Sequence, residues 1–382
     1  MTPAHMRSDS NSRKTVVNRR SFLTAAGVAG ATGLAGCVGG DGNGNGNGNG
    51  NGGTTGGNGD DDEITVYTNI PFEDIANAYE EAAGVSVNYN ILGGPQPVTR
   101  YVAEADQEQY GVDVICNNSG VTWQLHDNDI PGELNVDEDT IESVFSLEGM
   151  RDAWEDALGD DVGRRTPPAQ LLINGTHYNT DLVSDPPVEY TDFLNEQFEN
   201  NITTQPYIQD VVLQAMEHYH GTETAEQWLI DYDAQGIDYL AGGGTLIESL
   251  LGEENMLAPY TNGFYASEPI NNGAPIDVVF PRETYYATQT LTKPVNAPNP
   301  EGADDFIEWL LSREGQEVIQ TLNGGSLPAH EDLDYGNDQV QQRLDERMEA
   351  YPDTPLYPSI QDPDEFWEYA NRTEELIDVE IL

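Results

Sequence analysis

The residues best suited to grip a small molecule are one arginine, a set of aromatics and three small polar loops. Arg282 follows the apolar run Ile276-Asp277-Val278-Val279-Phe280 directly. A guanidinium there can hold a carboxylate or phosphate through two parallel hydrogen bonds. The alternative is a solvated arginine offsetting Glu283. Trp123, Tyr207, Tyr260, Phe264 and Tyr265 offer ring faces for stacking, and the last three lie in a Gly/Pro/Asn-rich stretch. The alternative for Trp123 is packing of its helix on a sheet. His218 and His220 are two apart on an expected helix and face different ways, so they make no metal pair. His126 and His177 are lone histidines with structural roles. Cys116 ends an apolar run and reads as a buried structural thiol. The chain carries no Gly-x-Ser-x-Gly elbow, no His-Glu-x-x-His and no P-loop, so nothing supports a hydrolase.

These residues need a scaffold, and the chain from Glu63 alternates strand and helix signals. Ile64–Thr68 and Val85–Ile91 are β-rich runs. Val112–Cys116 is a third. A helix opens at Pro71, with Phe72, Ile75, Ala76 and Tyr79 on one face, and Gly84 ends it. A second helix fits Val98 to Gln109. This β-α-β-α-β order predicts a parallel sheet with helices on both faces. Ligands of such sheets bind outside the carboxyl ends of the strands. The loops there supply Thr68 and Asn69, Gly94, and Asn118, Ser119 and Gly120 as candidate ligand contacts. The last loop also precedes a helix N-terminus, which favours anions. Ordinary strand-to-helix turn chemistry is the plainer reading of each loop.

A second unit begins near Gln170. Leu171-Leu172-Ile173 and Tyr178 to Val183 read as a strand and a turn. Helices follow near Ile208 to His220 and Ala225 to Tyr232, then a Gly242-Gly243-Gly244-Thr245 turn. Ile276 to Phe280 is a strong strand, and one long amphipathic helix fits Ala303 to Leu322. The acidic tail after Asp332 is expected to pack weakly or wrap the surface.

Composition excludes several partners. The chain has 68 acidic and 15 basic residues, a formal net charge of −53. Nucleic acid and anionic membrane surfaces are therefore not partners of the folded part. Hydrophobic residues at 37% are enough to build a core, so the charge signals a high-salt surface rather than disorder. Molar salt shortens the Debye length to ~3 Å and relieves the self-repulsion.

The N-terminus reads as an address. Arg19-Arg20-Ser21-Phe22-Leu23 resembles a twin-arginine export signal, and Leu34-Ala35-Gly36-Cys37 resembles a lipobox, whose cysteine would take the lipid. The apolar run between them is too short and too Gly/Ala-rich to span a membrane. Residues 1–37 form this signal, and residues 38–62, with a Gly-Asn repeat, form a tether reaching ~25–30 Å.

Several stretches together resemble the iron(III)-type solute-binding proteins, within the wider class of extracellular solute-binding proteins of ABC transporters. They are Ile64–Thr68, Gly111–Ile115, Tyr178–Val183, Val278-Val279-Phe280-Pro281, Ala297–Pro300 and Phe306–Gln316. The resemblance spans about Ile64 to Leu322. It implies an α/β, two-lobe periplasmic-binding-protein-like fold of type II, each lobe a mixed, mostly parallel sheet flanked by helices. The first lobe would comprise 63–170 and 276–382 and the second 171–275, with a ligand cleft between them. The Tyr178-Asn179 pair would end a strand that crosses between lobes.

The resemblance also implies a ligand set. Iron-binding members use two adjacent tyrosines, and that pair falls here on Phe264-Tyr265. The acidic ligand falls near Asn118 and a histidine near Pro71. Tyr265 alone survives. Tyr260, Tyr285 and Tyr286 are the substitutes in reach, so Tyr265 and Tyr260 are weak metal candidates and bound Fe(III) is the only cofactor to consider. A small organic or oxyanionic solute such as thiamine, a polyamine or a phosphonate is the other reading.

The expected function is a non-enzymatic, monomeric lipoprotein on the outer face of the cytoplasmic membrane. It would capture a small molecule or metal ion for an ABC permease and its ATPase. A ligand-sensing or adhesive surface protein would use the same fold.

Overall fold

In a computed structural model, residues 63–92, 96–159, 162–359 and 363–379 are described. The expected export signal with Arg19 and Arg20, the lipobox Cys37, the tether and Gly94 lie outside the described residues.

The expected βαβαβ start is present. Strands β1 (Glu63–Thr68), β2 (Ser86–Ile91) and β3 (Val114–Asn118) form a parallel set with β1 in the middle. Helices Glu73–Ala83 and Gln96–Ala105 make the crossovers. The first buries Ile75, Ala76 and Tyr79 and stops where Gly84 turns left-handed at φ 72°.

Strand β4 (Pro168–Asn179) is buried along all twelve residues and ends, as expected, on Tyr178-Asn179. Strands β5 (Thr203–Thr204), β6 (Asp238–Tyr239), β7 (Leu257–Asn262) and β8 (Ile276–Val279) follow, then β9 (Tyr285–Thr292), β10 (Leu327–Pro328) and β11 (Tyr357–Pro358). The main order is β10-β4-β9-β3-β1-β2. The first half of β4 pairs with β9 and β10, and its second half pairs with β7 and β8. One strand thus belongs to two sheet regions.

The sheets are mixed but less parallel than expected. β2-β1-β3, β5-β6 and β9-β11 are parallel. Every partner of β4, and the β3-β9 pair, is antiparallel. Pairing between strands that run opposite ways along the sheet can only be antiparallel.

The core falls into clusters. The largest gathers Phe72, Tyr79, Trp154 and Phe306. A second gathers Phe193, Phe198, Trp228, Tyr232 and Tyr260, and a small third lies around Tyr67 and Tyr101. Cys116 is buried, and burial pushes its thiol up to about 12, so it is no nucleophile at neutral pH.

Two expectations change. The helix expected over Ala303–Leu322 is two helices, Pro300–Leu311 and Arg313–Thr321, because Ser312 is extended at ψ 162°. Gln316 fixes the elbow by donating to the Leu310 carbonyl and accepting from the Ala329 N–H. The acidic tail wraps, but not weakly. Arg343 of helix Asp338–Ala350 pairs with buried Asp277 at 2.6 Å. Trp123 packs on Phe366 of the tail helix Pro363–Leu376, with centroids 5.4 Å apart, rather than on the sheet alone. Arg372 of the same helix bonds Glu217 and Glu226, each at 2.7 Å.

Candidate functional site

The carboxyl ends of β1 and β3 hold most of the predicted loop contacts, and several are occupied by the fold itself. Thr68 is buried, and its hydroxyl accepts the Ile70 N–H at 3.2 Å in a local turn. Asn118 caps helix Ser119–Asp127 by accepting the Gly120 N–H at 2.8 Å. Buried Ser119 accepts from the Thr288 N–H and donates to the Ser359 carbonyl. Thr68 and Ser119 are therefore anchors of the loops. Asn69 differs: its Oδ1 is buried without a hydrogen-bond partner among the described residues.

Beside this end lies a feature the sequence reading missed. In register, Asn118 of β3 faces Gln289 of β9, and Gln289 faces Gln170 of β4. Paired residues of neighbouring strands project to one face, so three amides form a row across the sheet. Gln170 and Gln289 are 2% and 4% exposed. The Nε2 of Gln170 and the Oε1 of Gln289 have no hydrogen-bond partner among the described residues. An unmatched buried polar group costs about 1–3 kcal/mol. The signal was present in sequence: each glutamine interrupts a run of apolar and β-branched residues, and a polar residue in a wholly buried strand is the informative kind.

A second group surrounds Tyr265. It sits in the short 3₁₀ turn Gly263–Ala266 after β7. Tyr207 follows β5 and is 48% exposed. Partial burial and the neighbouring Tyr265 phenol both hold its proton on. The Tyr265 ring covers the start of helix Gly243–Leu251, where a Cβ on Gly243 would lie 2.3 Å from the ring. Only glycine permits that approach. Buried Asp210, in the first turn of helix Gln209–His220, acts on Tyr285 and, after burial, is the main influence keeping that phenol protonated.

Tyr260 and Tyr285, both expected at the ligand, are core residues. Tyr260 is held at φ 59°, and its ring packs on Phe193, Trp228, Tyr232 and Tyr285. It is 6% exposed and Tyr285 is 3% exposed. Arg282 is also placed elsewhere. It is exposed, its carbonyl takes a hydrogen bond from Arg347, and its charge acts on Tyr219 and Tyr351 rather than on Tyr207 or Tyr265. Nor does it offset Glu283, which is buried and bonded to His220 and to the Tyr190 N–H, each at 3.0 Å.

As an iron site the arrangement is poor. Phe264 stands beside Tyr265 with ring centroids 4.4 Å apart, where a second phenolate would be needed. Burial raises the hydroxyls of Tyr260, Tyr265 and Tyr285 away from the phenolate form. Among the described residues no group of three His, Cys, Asp or Glu is gathered for a metal.

The family model for bacterial extracellular solute-binding proteins matches residues 74–344. The chain belongs to that family. Its members are the solute-binding components of ABC transporters, and the fold here is the type II periplasmic-binding-protein fold. Iron-bound HitA from Pseudomonas aeruginosa is similar at TM-score 0.64 and 16% identity, over 82% of this chain and 99% of that one. The substrate-binding protein of an ABC transporter from Agrobacterium tumefaciens matches at TM-score 0.63 and 14% identity, over 82% and 94%. The spermidine/putrescine transporter protein PotD from Streptococcus pneumoniae matches at 0.61 and 14%, over 82% and 98%. No curated protein sequence matches the chain. Among the described residues no helix is long and apolar enough to cross a membrane.

Proposed function

We propose that this family member closes two lobes around a small solute, one carried by the strands paired with the first half of β4 and the other by β7 and β8, paired with its second half. It then hands the solute to a membrane permease and ATPase. It acts by binding alone and catalyses no reaction. A lipid on Cys37 holds it at the outer face of the cytoplasmic membrane, and residues 38–62 give it reach. The observation that carries this reading is β4, which pairs with one set of strands along its first half and another along its second. A strand shared in this way can act as a hinge for bodies on either side. The solute drives closure only in so far as it binds the closed form better than the open one.

Solute chemistry follows the site. Phe264 stands where a second phenolate would be needed, so an organic solute is favoured over iron. The test is a thermal-shift screen in molar KCl with ferric citrate, thiamine, spermidine and a phosphonate. Small-angle scattering on any binder follows. A saturable rise in Tm and a smaller radius of gyration are expected. A binder that leaves the scattering curve unchanged at saturation contradicts lobe closure, and turnover of the added compound contradicts a binding protein.

A further inference from the structure

We infer that Gln170 and Gln289 read the solute. This rests on the solute-capture reading above and adds the class of compound: a small organic molecule without net negative charge, presenting hydroxyl or amino groups that both give and accept hydrogen bonds.

The two side chains stand side by side on β4 and β9, next to Asn118 at the carboxyl end of β3. Ligands of open α/β sheets bind at that end. Each glutamine is at least nine-tenths buried, and one leaves a donor unmatched while the other leaves an acceptor unmatched. An amide can turn to offer either group, so the pair presents donor and acceptor together. The Asn69 Oδ1, one residue beyond β1, adds another buried unmatched acceptor. Carboxamides carry no charge. They hydrogen-bond to hydroxyls and amines, whereas Fe(III) calls for anionic oxygen.

Charge disfavours the anionic alternatives. Burying an anion requires a cation beside it. Of the basic residues, Lys293 bonds Asp304, Arg343 bonds Asp277, and Arg372 bonds Glu217 and Glu226, none of which belongs to the row. Arg282 is exposed near Tyr219. The surrounding field is strongly negative, since 67 of the 68 acidic residues follow Cys37. In molar salt that charge is screened beyond ~3 Å, so the choice of solute falls to the uncharged amides themselves.

The test uses the full-length chain in molar KCl, as wild type, Gln170→Leu and Gln289→Leu. The four probes are myo-inositol, spermidine, inorganic phosphate and ferric citrate, measured by calorimetry and thermal shift. Inositol or spermidine should bind the wild type, and which of them binds tells a neutral solute from a cationic one. Each variant should lose at least about tenfold in affinity, because the matching hydrogen bond is gone. The same variants without solute should melt at the wild-type temperature or above it, since an unmatched buried amide has become apolar. If both variants melt lower and any affinity is intact, the amides are structural and the inference falls. Binding of phosphate or ferric citrate alone overturns the class of compound but leaves solute capture standing. If the wild type responds to none of the four, the proposed class of compound falls, while solute capture stands.

Discussion

Two groups of tyrosines look alike in sequence and behave differently in the fold. Tyr260 and Tyr285 stack in a buried aromatic cluster with Tyr232 and Trp228. Tyr265 covers the glycine-rich start of a helix, and half-exposed Tyr207 lies close enough for their phenols to interact. The first group is built into the core, whereas the second is only partly buried. Residue type therefore did not separate function from packing here. Burial did.

The largest expected effect tests that division directly. Tyr260→Ala should cost about 3–5 kcal/mol, as removal of a large buried ring does. Tyr207→Ala should stay within about 0.5 kcal/mol, as surface changes do. Urea titration in molar salt measures both. Equal losses would erase the distinction.

Acid sharpens it next. His177 lies on β4, fully buried, and burial lowers its pKa from 6.5 to about 4. The folded ring stays neutral while the unfolded ring takes a proton between pH 6.5 and about 4. Stability from this residue is therefore whole above pH 6.5 and falls as pH drops toward 4, by about 3 kcal/mol in total. A His177→Gln variant should lose less stability than wild type between pH 7 and pH 4.5. Parallel curves for the two proteins would exclude the residue as the cause.

Gly243→Ala should have a smaller effect, about 1–3 kcal/mol, because its new methyl would press on the Tyr265 ring. If the ring simply swings away, stability is kept and solute affinity falls instead. Affinity unchanged together with stability unchanged would mean that Tyr265 has no fixed place over the helix.

Much of the fold was legible because it is local. Ile75, Ala76 and Tyr79 at helical spacing, Gly84 after them, and the β-rich runs that became β1, β2 and β3 all follow from near-neighbour chemistry. The break at Ser312 escaped a pattern reading because both helices keep the same apolar period, and the elbow is fixed by Gln316 reaching across it. The site was less legible. Thr68, Asn118 and Ser119 were found as loop residues, but their polar atoms cap and tie the loops. Asn69 and Tyr265 are left as candidates near a solute.

The sequence by itself determined the acidic surface, the βαβ start and the family, since these depend on composition, short-range periodicity and ordered motifs. Only the tertiary structure decided which tyrosines are buried, that Arg282 lies apart from Tyr207 and Tyr265, and that Gln170 meets Gln289. Those two glutamines are more than a hundred residues apart in the chain, and only the antiparallel register of β4 and β9 brings them together. Register is set by pairing across the whole sheet, so no local pattern contains it.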